Sequence, residues 1–235
     1  MKILSLGAGV QSSALLILAA RREIECDGVI FADTGCEKST TYEYLQELQK
    51  IAKDAGLSYQ EVRREGGTIE DYCKKYRIIP STIRRWCTDK FKIKPLSKVL
   101  NCEVDEVMIG FSYDEQHRVK PYKLPYKRTF PLIDLKLTRS DCVHELLSYG
   151  LPEPTKSSCW MCVFQDRWSW MWLKRTFPEL FQKALDLEAL YHSRRPHTKE
   201  TMGLFQGRPL WRSMGEGLQD TMLDDYGCYS GHCFR

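Results

Sequence analysis

The sequence predicts an α/β protein: an open, mainly parallel twisted sheet with helices on both faces, followed by a helical, cysteine-containing C-terminal region. Three observations lead there. Short apolar runs alternate with helix-forming stretches through the first part of the chain, as in a parallel sheet with crossover helices. The first of these runs stops at Gly7-Ala8-Gly9, directly before a helical pattern. The composition then shifts near Gly150, where five of the six tryptophans still lie ahead.

Taken in order, Lys2 to Leu6 is a short buried strand, and Ser12 or Ser13 caps a helix running through Arg22. Gly28 to Asp33 is a second buried strand, followed by Thr34-Gly35 and an amphipathic helix over Thr40 to Ala55. Leu57 to Val62 and Glu106 to Phe111 supply the third and fourth strands. Between them lie a helix at Ile69 to Tyr76 and a basic helical stretch from Asp89 to Leu100. Leu151-Pro152-Glu153-Pro154 is a rigid link, so residues 1–150 are expected to form the α/β domain and 151–235 the helical region. Arg167 to Phe177 and Glu179 to Arg194 are helices divided by Pro178, and Gly203 to Gly217 is irregular.

The bulk properties exclude several classes. The 235 residues carry 35 Lys+Arg against 31 Asp+Glu, a net charge of +4. That is too mild for a nucleic-acid coat, although a local basic groove remains open. A chain that is 43% hydrophobic and 28% charged is not largely disordered. The apolar run Ala14 to Ala20 is too short to span a bilayer, so no membrane association is expected and a cytoplasmic location is. In that reducing compartment ten cysteines point to metal or sulfur chemistry rather than a disulfide framework.

The turn after the first strand is the first candidate site. In Ser5-Leu6-Gly7-Ala8-Gly9-Val10-Gln11-Ser12-Ser13 the glycines allow close backbone approach, and the helix start offers free N–H groups to a phosphate. No Gly-Lys-Ser/Thr sequence follows, and the third glycine of a dinucleotide fingerprint would fall at Ser12. The alternative is a strand-to-helix turn without a ligand.

The cysteines supply the second. Cys159-Trp160-Met161-Cys162 lets two thiolates share one centre, and Cys87 lies in a basic segment that favours thiolate. These three could hold three irons of a 4Fe–4S cluster, with Cys233 or Cys228 as fourth ligand or mobile sulfur carrier. A structural zinc with His232 available and ordinary buried thiols are the rivals. Cys26, Cys36, Cys73, Cys102 and Cys142 read as background, Cys36 being the one worth keeping in view. Among charged groups, Asp33 ends the second strand, where open sheets collect ligands. Arg84, Arg85, Lys90, Lys92, Lys94 and Lys98 form a basic face. Asp114, Glu115 and Arg118 follow the fourth strand as magnesium or nucleotide contacts, or else as a surface ion-pair cluster. His117, His144, His192 and His197 read as structural.

Several of these segments together resemble the adenine nucleotide alpha-hydrolase (PP-loop) superfamily, and its phosphoadenosine phosphosulfate (PAPS) reductase branch in particular. They are the loop, Phe31-Ala32-Asp33-Thr34-Gly35 with Thr41-Tyr42-Glu43-Tyr44, the Cys87-to-Leu96 segment, Gly110 to Arg118, and Pro131-Leu132-Ile133-Asp134. They occur in order over about residues 2 to 165. The loop departs from the family pattern at Gly7 and Gln11, where a serine and an aspartate are usual. The resemblance implies ATP, or PAPS, with Mg2+, bound by Ser5, Gly7, Ala8, Gly9, Gln11, Ser12, Ser13, Phe31, Asp33, Gly110, Glu115 and Arg118. It places Lys92 at the family's lysine, and assigns Lys92, Asp33 and Cys233 to the chemistry. It also supports a 4Fe–4S cluster on Cys87, Cys159 and Cys162, with Cys233 the candidate fourth ligand.

The function expected is adenylation of a substrate, a nucleic acid being one candidate, followed by cluster-dependent sulfur transfer. A cysteine desulfurase or thioredoxin-type protein is the candidate donor. The alternatives are a PAPS or adenylyl-sulfate reductase and a non-enzymatic nucleotide- or nucleic-acid-binding module.

Overall fold

The computed structural model describes residues 1–100, 106–121, 124 and 126–214. Five parallel strands form one sheet in the order β3-β2-β1-β4-β5. They are β1 (Lys2–Leu6), β2 (Gly28–Asp33), β3 (Ser58–Arg63), β4 (Glu106–Ile109) and β5 (Lys127–Thr129). The chain steps outward from β1 to β3, then returns to the other side of β1 for β4. That reversal makes the carboxyl ends of β1 and β4 the switch point at which open α/β sheets bind ligands.

Strand alternation divides the core between the two faces. Leu4, Leu6, Val29, Phe31 and Met108 face α1 (Val10–Ala20), α2 (Ser39–Asp54) and α7 (Arg139–Ser148). Ile3, Ile30, Ala32, Val62 and Val107 face Leu96 and Leu100 of the basic stretch. Helix α1 is buried almost all round, which suits its place between sheet, α2 and α7.

A second hydrophobic cluster joins α3 (Ile69–Tyr76) and Phe91 to α8 (Arg167–Thr176) and α9 (Pro178–Ser193). Trp170 is fully buried there, edge-on to Phe181 at 6.3 Å. The buried Glu188 carboxylate accepts from the Leu204 and Leu210 N–H groups at 2.8 and 2.9 Å, fixing the irregular segment after α9. Burial pushes this carboxyl above its ordinary pKa.

The expected helix over Asp89 to Leu100 is not continuous. A turn at Trp86–Thr88 (α4) passes through a π segment, Asp89–Ile93, into α5 (Lys94–Val99). The short edge strand β5 and helix α7, together with α6 (Pro131–Asp134), complete the α/β part. The single turn α10 (Leu210–Ser213) ends the described chain. Among the described residues no helix is long and apolar enough to cross a membrane.

Candidate functional site

The loop after β1 is built by main chain and one hydroxyl. Ala8 takes a left-handed φ of 51°, a conformation that costs a non-glycine residue about 1 kcal/mol and is tolerated mainly where function requires it. Gly9, not Ser12 or Ser13, is the N-cap of α1. Ser12 sits three positions later because its hydroxyl turns back into the loop. Its Oγ accepts from the Gly7 and Gly9 N–H groups at 3.1 and 3.3 Å and donates to the Gly9 carbonyl at 3.2 Å. Ser13 is wholly buried beside the Tyr44 hydroxyl. Gly110, at the end of β4, packs against this loop so closely that a Cβ there would lie 2.8 Å from the Ser12 nitrogen. Phe31 buries its ring in the core, leaving only its main chain for a ligand.

Gln11 occupies the mouth of the loop as a two-sided amide. Its Nε2 donates to Glu115 at 3.2 Å, and its Oε1 accepts from Arg139 at 3.3 Å. Arg139 also pairs with Glu153 at 3.2 Å, and Arg118 pairs with Glu115. An aspartate at position 11 could not donate to Glu115, so the amide is what lets these charges meet. Arg139 escaped the sequence reading. The Thr138-to-Asp141 capping box that starts α7 was the available signal.

Asp33 is buried and fully engaged. Oδ1 accepts from the Gly35 N–H and the Tyr42 hydroxyl, both at 2.8 Å, and Oδ2 meets Arg63 at 2.5 Å. Burial, then the bond to Asp33, pushes the Tyr42 phenol well above its usual pKa. Asp33 thus ties the β2 turn to β3 and α2.

The three thiols gather around Lys92. Cys159 Sγ lies 3.1 Å from the Thr34 hydroxyl and 3.6 Å from Glu37 Oε1, while Lys92 Nζ stands 3.8 Å from the same oxygen. An antiparallel bridge between Glu37 and Cys159 and the Trp160 N–H bond to Cys36 at 3.0 Å fasten the Cys-x-x-Cys turn beside the β2 turn. Burial raises the Cys159 thiol well above its ordinary pKa and Cys162 above its own. Burial works to lower Lys92, but Glu37 and the Cys159, Cys162 and Cys87 thiols outweigh it and hold the ammonium up. Lys92, expected at a phosphate, therefore stands among sulfur atoms.

Behind this group lies a residue the sequence did not single out. Lys38 is 1% exposed. Its ammonium donates to the Lys156 carbonyl at 2.8 Å and lies 5.0 Å from the Trp172 ring centre. Burial lowers its pKa to about 8. A Glu-Lys pair after a turn reads as solvated surface, so nothing local marked Glu37 and Lys38 as interior. Cys36 and Cys73, read as background, belong to the hydrophobic cluster that also contacts Cys87 and Cys159. Cys102, Cys228, His232 and Cys233 lie outside the described residues.

One short segment connects loop and thiols. A Cβ on Gly9 would meet the Ser157 hydroxyl at 2.7 Å, and two residues later Cys159 touches Thr34. Two extended residues span about 7 Å, so the loop after β1 and the Cys-x-x-Cys turn lie close together at the carboxyl end of the sheet.

Comparison with known proteins agrees with this architecture. Residues 2–131 match the phosphoadenosine phosphosulfate reductase domain. An uncharacterized protein of Methanocaldococcus jannaschii, MJ0973, is 27% identical over 201 residues, 77% of this chain and 46% of that protein. A second, MJ0066, is 23% identical over 199 residues, 77% of this chain and 40% of that protein. The chain thus spans about half the length of these curated relatives or less. Among solved structures, the U34-tRNA thiolase NcsA from Methanococcus maripaludis with its [4Fe-4S] cluster superposes with a TM-score of 0.51 at 18% identity, covering 81% of this chain and 72% of that one. PAPS reductase from Candida auris gives 0.48 at 14% identity, covering 65% and 74%. With the family model matching more than half of its length and the sheet, switch-point loop and strand-end turn in place, the chain belongs to the phosphoadenosine phosphosulfate reductase domain family.

Proposed function

We propose that this protein binds ATP at the Gly7–Ser12 loop, adenylates an acceptor, and replaces the resulting adenylate with sulfur supplied at the Cys87, Cys159 and Cys162 thiols. The observation that carries the reading is the reach of the 157–159 segment, from Ser157 at Gly9 to Cys159 at Thr34. In the first step an acceptor oxygen attacks the α-phosphorus, the α–β bridging bond breaks, and pyrophosphate leaves. The Gly7 and Gly9 N–H groups, freed when Ser12 rotates away, would face the phosphate oxygens, with the α1 N-terminus behind them. Arg139 and Arg118 stand at the loop mouth, where pyrophosphate charge would accumulate.

The donor chemistry fits an iron–sulfur cluster better than zinc. Four zinc–sulfur bonds of about 2.3 Å require sulfurs roughly 3.8 Å apart. Among the described residues, no three His, Cys, Asp or Glu side chains gather closely enough to hold a single ion. A cluster spreads its cysteine ligands over separate irons. Burial keeps the unliganded thiols neutral. Lys38 and Lys92 both reach the pocket, however, and among the described residues Glu37 is the carboxylate paired with Lys92, so thiolates holding a cluster would meet a compensating positive charge there. A 4Fe–4S cluster held there would carry the sulfur that displaces AMP. The Methanococcus maripaludis thiolase, which carries such a cluster, supports this reading.

Anaerobically purified protein is expected to release pyrophosphate from ATP in the presence of acceptor and to contain iron. Absence of pyrophosphate under those conditions would overturn adenylation. The family model favours one second reading, reduction of PAPS; thioredoxin-dependent sulfite release without pyrophosphate would select it.

A further inference from the structure

The open side of the thiol pocket carries an aromatic ring under a guanidinium. Phe164 is 46% exposed, although its own N–H donates to the Cys162 thiol. The Arg85 guanidinium lies 5.3 Å from the centre of that ring. Arg85 directly precedes Trp86-Cys87 and is held in the left-handed region at φ 43°. Its N–H donates to the Ser81 carbonyl at 3.2 Å, and the Ser81 hydroxyl accepts from the Ile83 N–H at 3.3 Å. The turn thrusts Ile83 outward, 88% exposed, with Arg84 exposed beside it. Among the described residues neither Arg84 nor Arg85 has a carboxylate partner. Arg64 and Lys90, nearby in the same region, lie over the Tyr72 ring at 4.9 and 5.5 Å.

A single exposed aromatic residue needs no explanation. This one adjoins the Cys162 thiol and lies under Arg85, which among the described residues has no carboxylate partner, so its partner should be anionic and present a flat ring. Single-stranded nucleic acid meets both requirements: phosphates for the guanidiniums, an unstacked base for the Phe164 face. An acidic peptide would satisfy only the first, and a duplex keeps its base faces covered. The geometry points to a docking site for single-stranded nucleic acid across the thiol pocket, with one base stacked on Phe164 beside Arg85 and its flanking phosphates on Arg84 and Arg85. This names the acceptor class for the proposed sulfur transfer and rests on that reading for its purpose. The binding itself requires no nucleotide.

The test is fluorescence anisotropy of labelled single-stranded RNA and DNA oligomers with the full chain, without ATP, over a salt series. Wild-type protein should bind, and Phe164→Ala should weaken binding about tenfold, with Phe164→Trp retaining it. Arg84→Ala with Arg85→Ala should lower the salt slope by about 1.4. A fully paired duplex should show no loss on Phe164→Ala, and RNA preferred over DNA would identify the strand. Undiminished single-strand binding by Phe164→Ala, or an unchanged salt slope in the double variant, overturns the site. Binding that is lost equally in Phe164→Ala and Phe164→Trp also overturns it. A failure of pyrophosphate release with these binding results intact would remove the adenylation reading and leave the docking site standing.

Discussion

In the loop after β1, the Gly7 and Gly9 N–H groups both end on the Ser12 hydroxyl, and Gln11 links Glu115 to Arg139. Every charge there already has a partner. In the thiol pocket, a few ångströms along the chain past Ser157, Lys38 is buried against a carbonyl and a ring, and two thiols are held neutral by desolvation. The loop's polar groups are met by neighbouring side chains, whereas the pocket keeps a buried ammonium beside neutral thiols. On the proposed reading, that difference would separate a site that exchanges ligands from one that keeps a resident group.

The largest effect that could break this contrast concerns the proposed cluster. Cys162→Ala should reduce iron in anaerobically purified protein to background while nucleotide binding persists; full iron retention would remove Cys162 from the ligands. Next in size is the buried ammonium. In metal-free protein Lys38 falls from an unfolded value of 10.5 to about 8, so the folded chain loses this proton first. Stability should therefore rise between about pH 8 and pH 10.5, with the full penalty, on the order of 3 kcal/mol, present below pH 8. Lys38→Met should be the more stable protein at pH 7 in urea melts, and its advantage should vanish by pH 10.5. An advantage independent of pH would mean that the ammonium is compensated. Smallest is Gly110→Ala, which pushes a methyl against the Ser12 main chain. It should cost roughly 1–3 kcal/mol and weaken nucleotide binding without changing iron content.

Much of the frame was legible because local and global preferences agree. The apolar run Gly28–Asp33 is buried along its whole length, and Thr68 with Asp71 caps α3 where the pattern begins. The start of α1 was misplaced because a serine near a helix start reads as a cap, and here Ser12 serves the loop instead. Strand β5, Lys-Arg-Thr, escaped because an edge strand of three polar residues has no apolar alternation to show. At the site, thiol spacing revealed the Cys-x-x-Cys turn, and glycine pattern the loop. The interior Glu37 and Lys38 gave no signal, since their burial comes from segment 155–160 folding across them. Cys36 and Cys73, read as background thiols with Cys36 kept in view, do lie in a hydrophobic core cluster, one assembled across distant parts of the chain.

The Ser12 hydroxyl bears on how fast the loop can turn over. A departing phosphate ordinarily leaves bare N–H groups, and their exposure adds to the barrier for release. Here the hydroxyl can swing back onto the Gly7 and Gly9 amides as the ligand moves out, exchanging one acceptor for another. On the proposed reading, Ser12 would act as an internal competitor, holding nucleotide affinity down and shortening the residence time of the product.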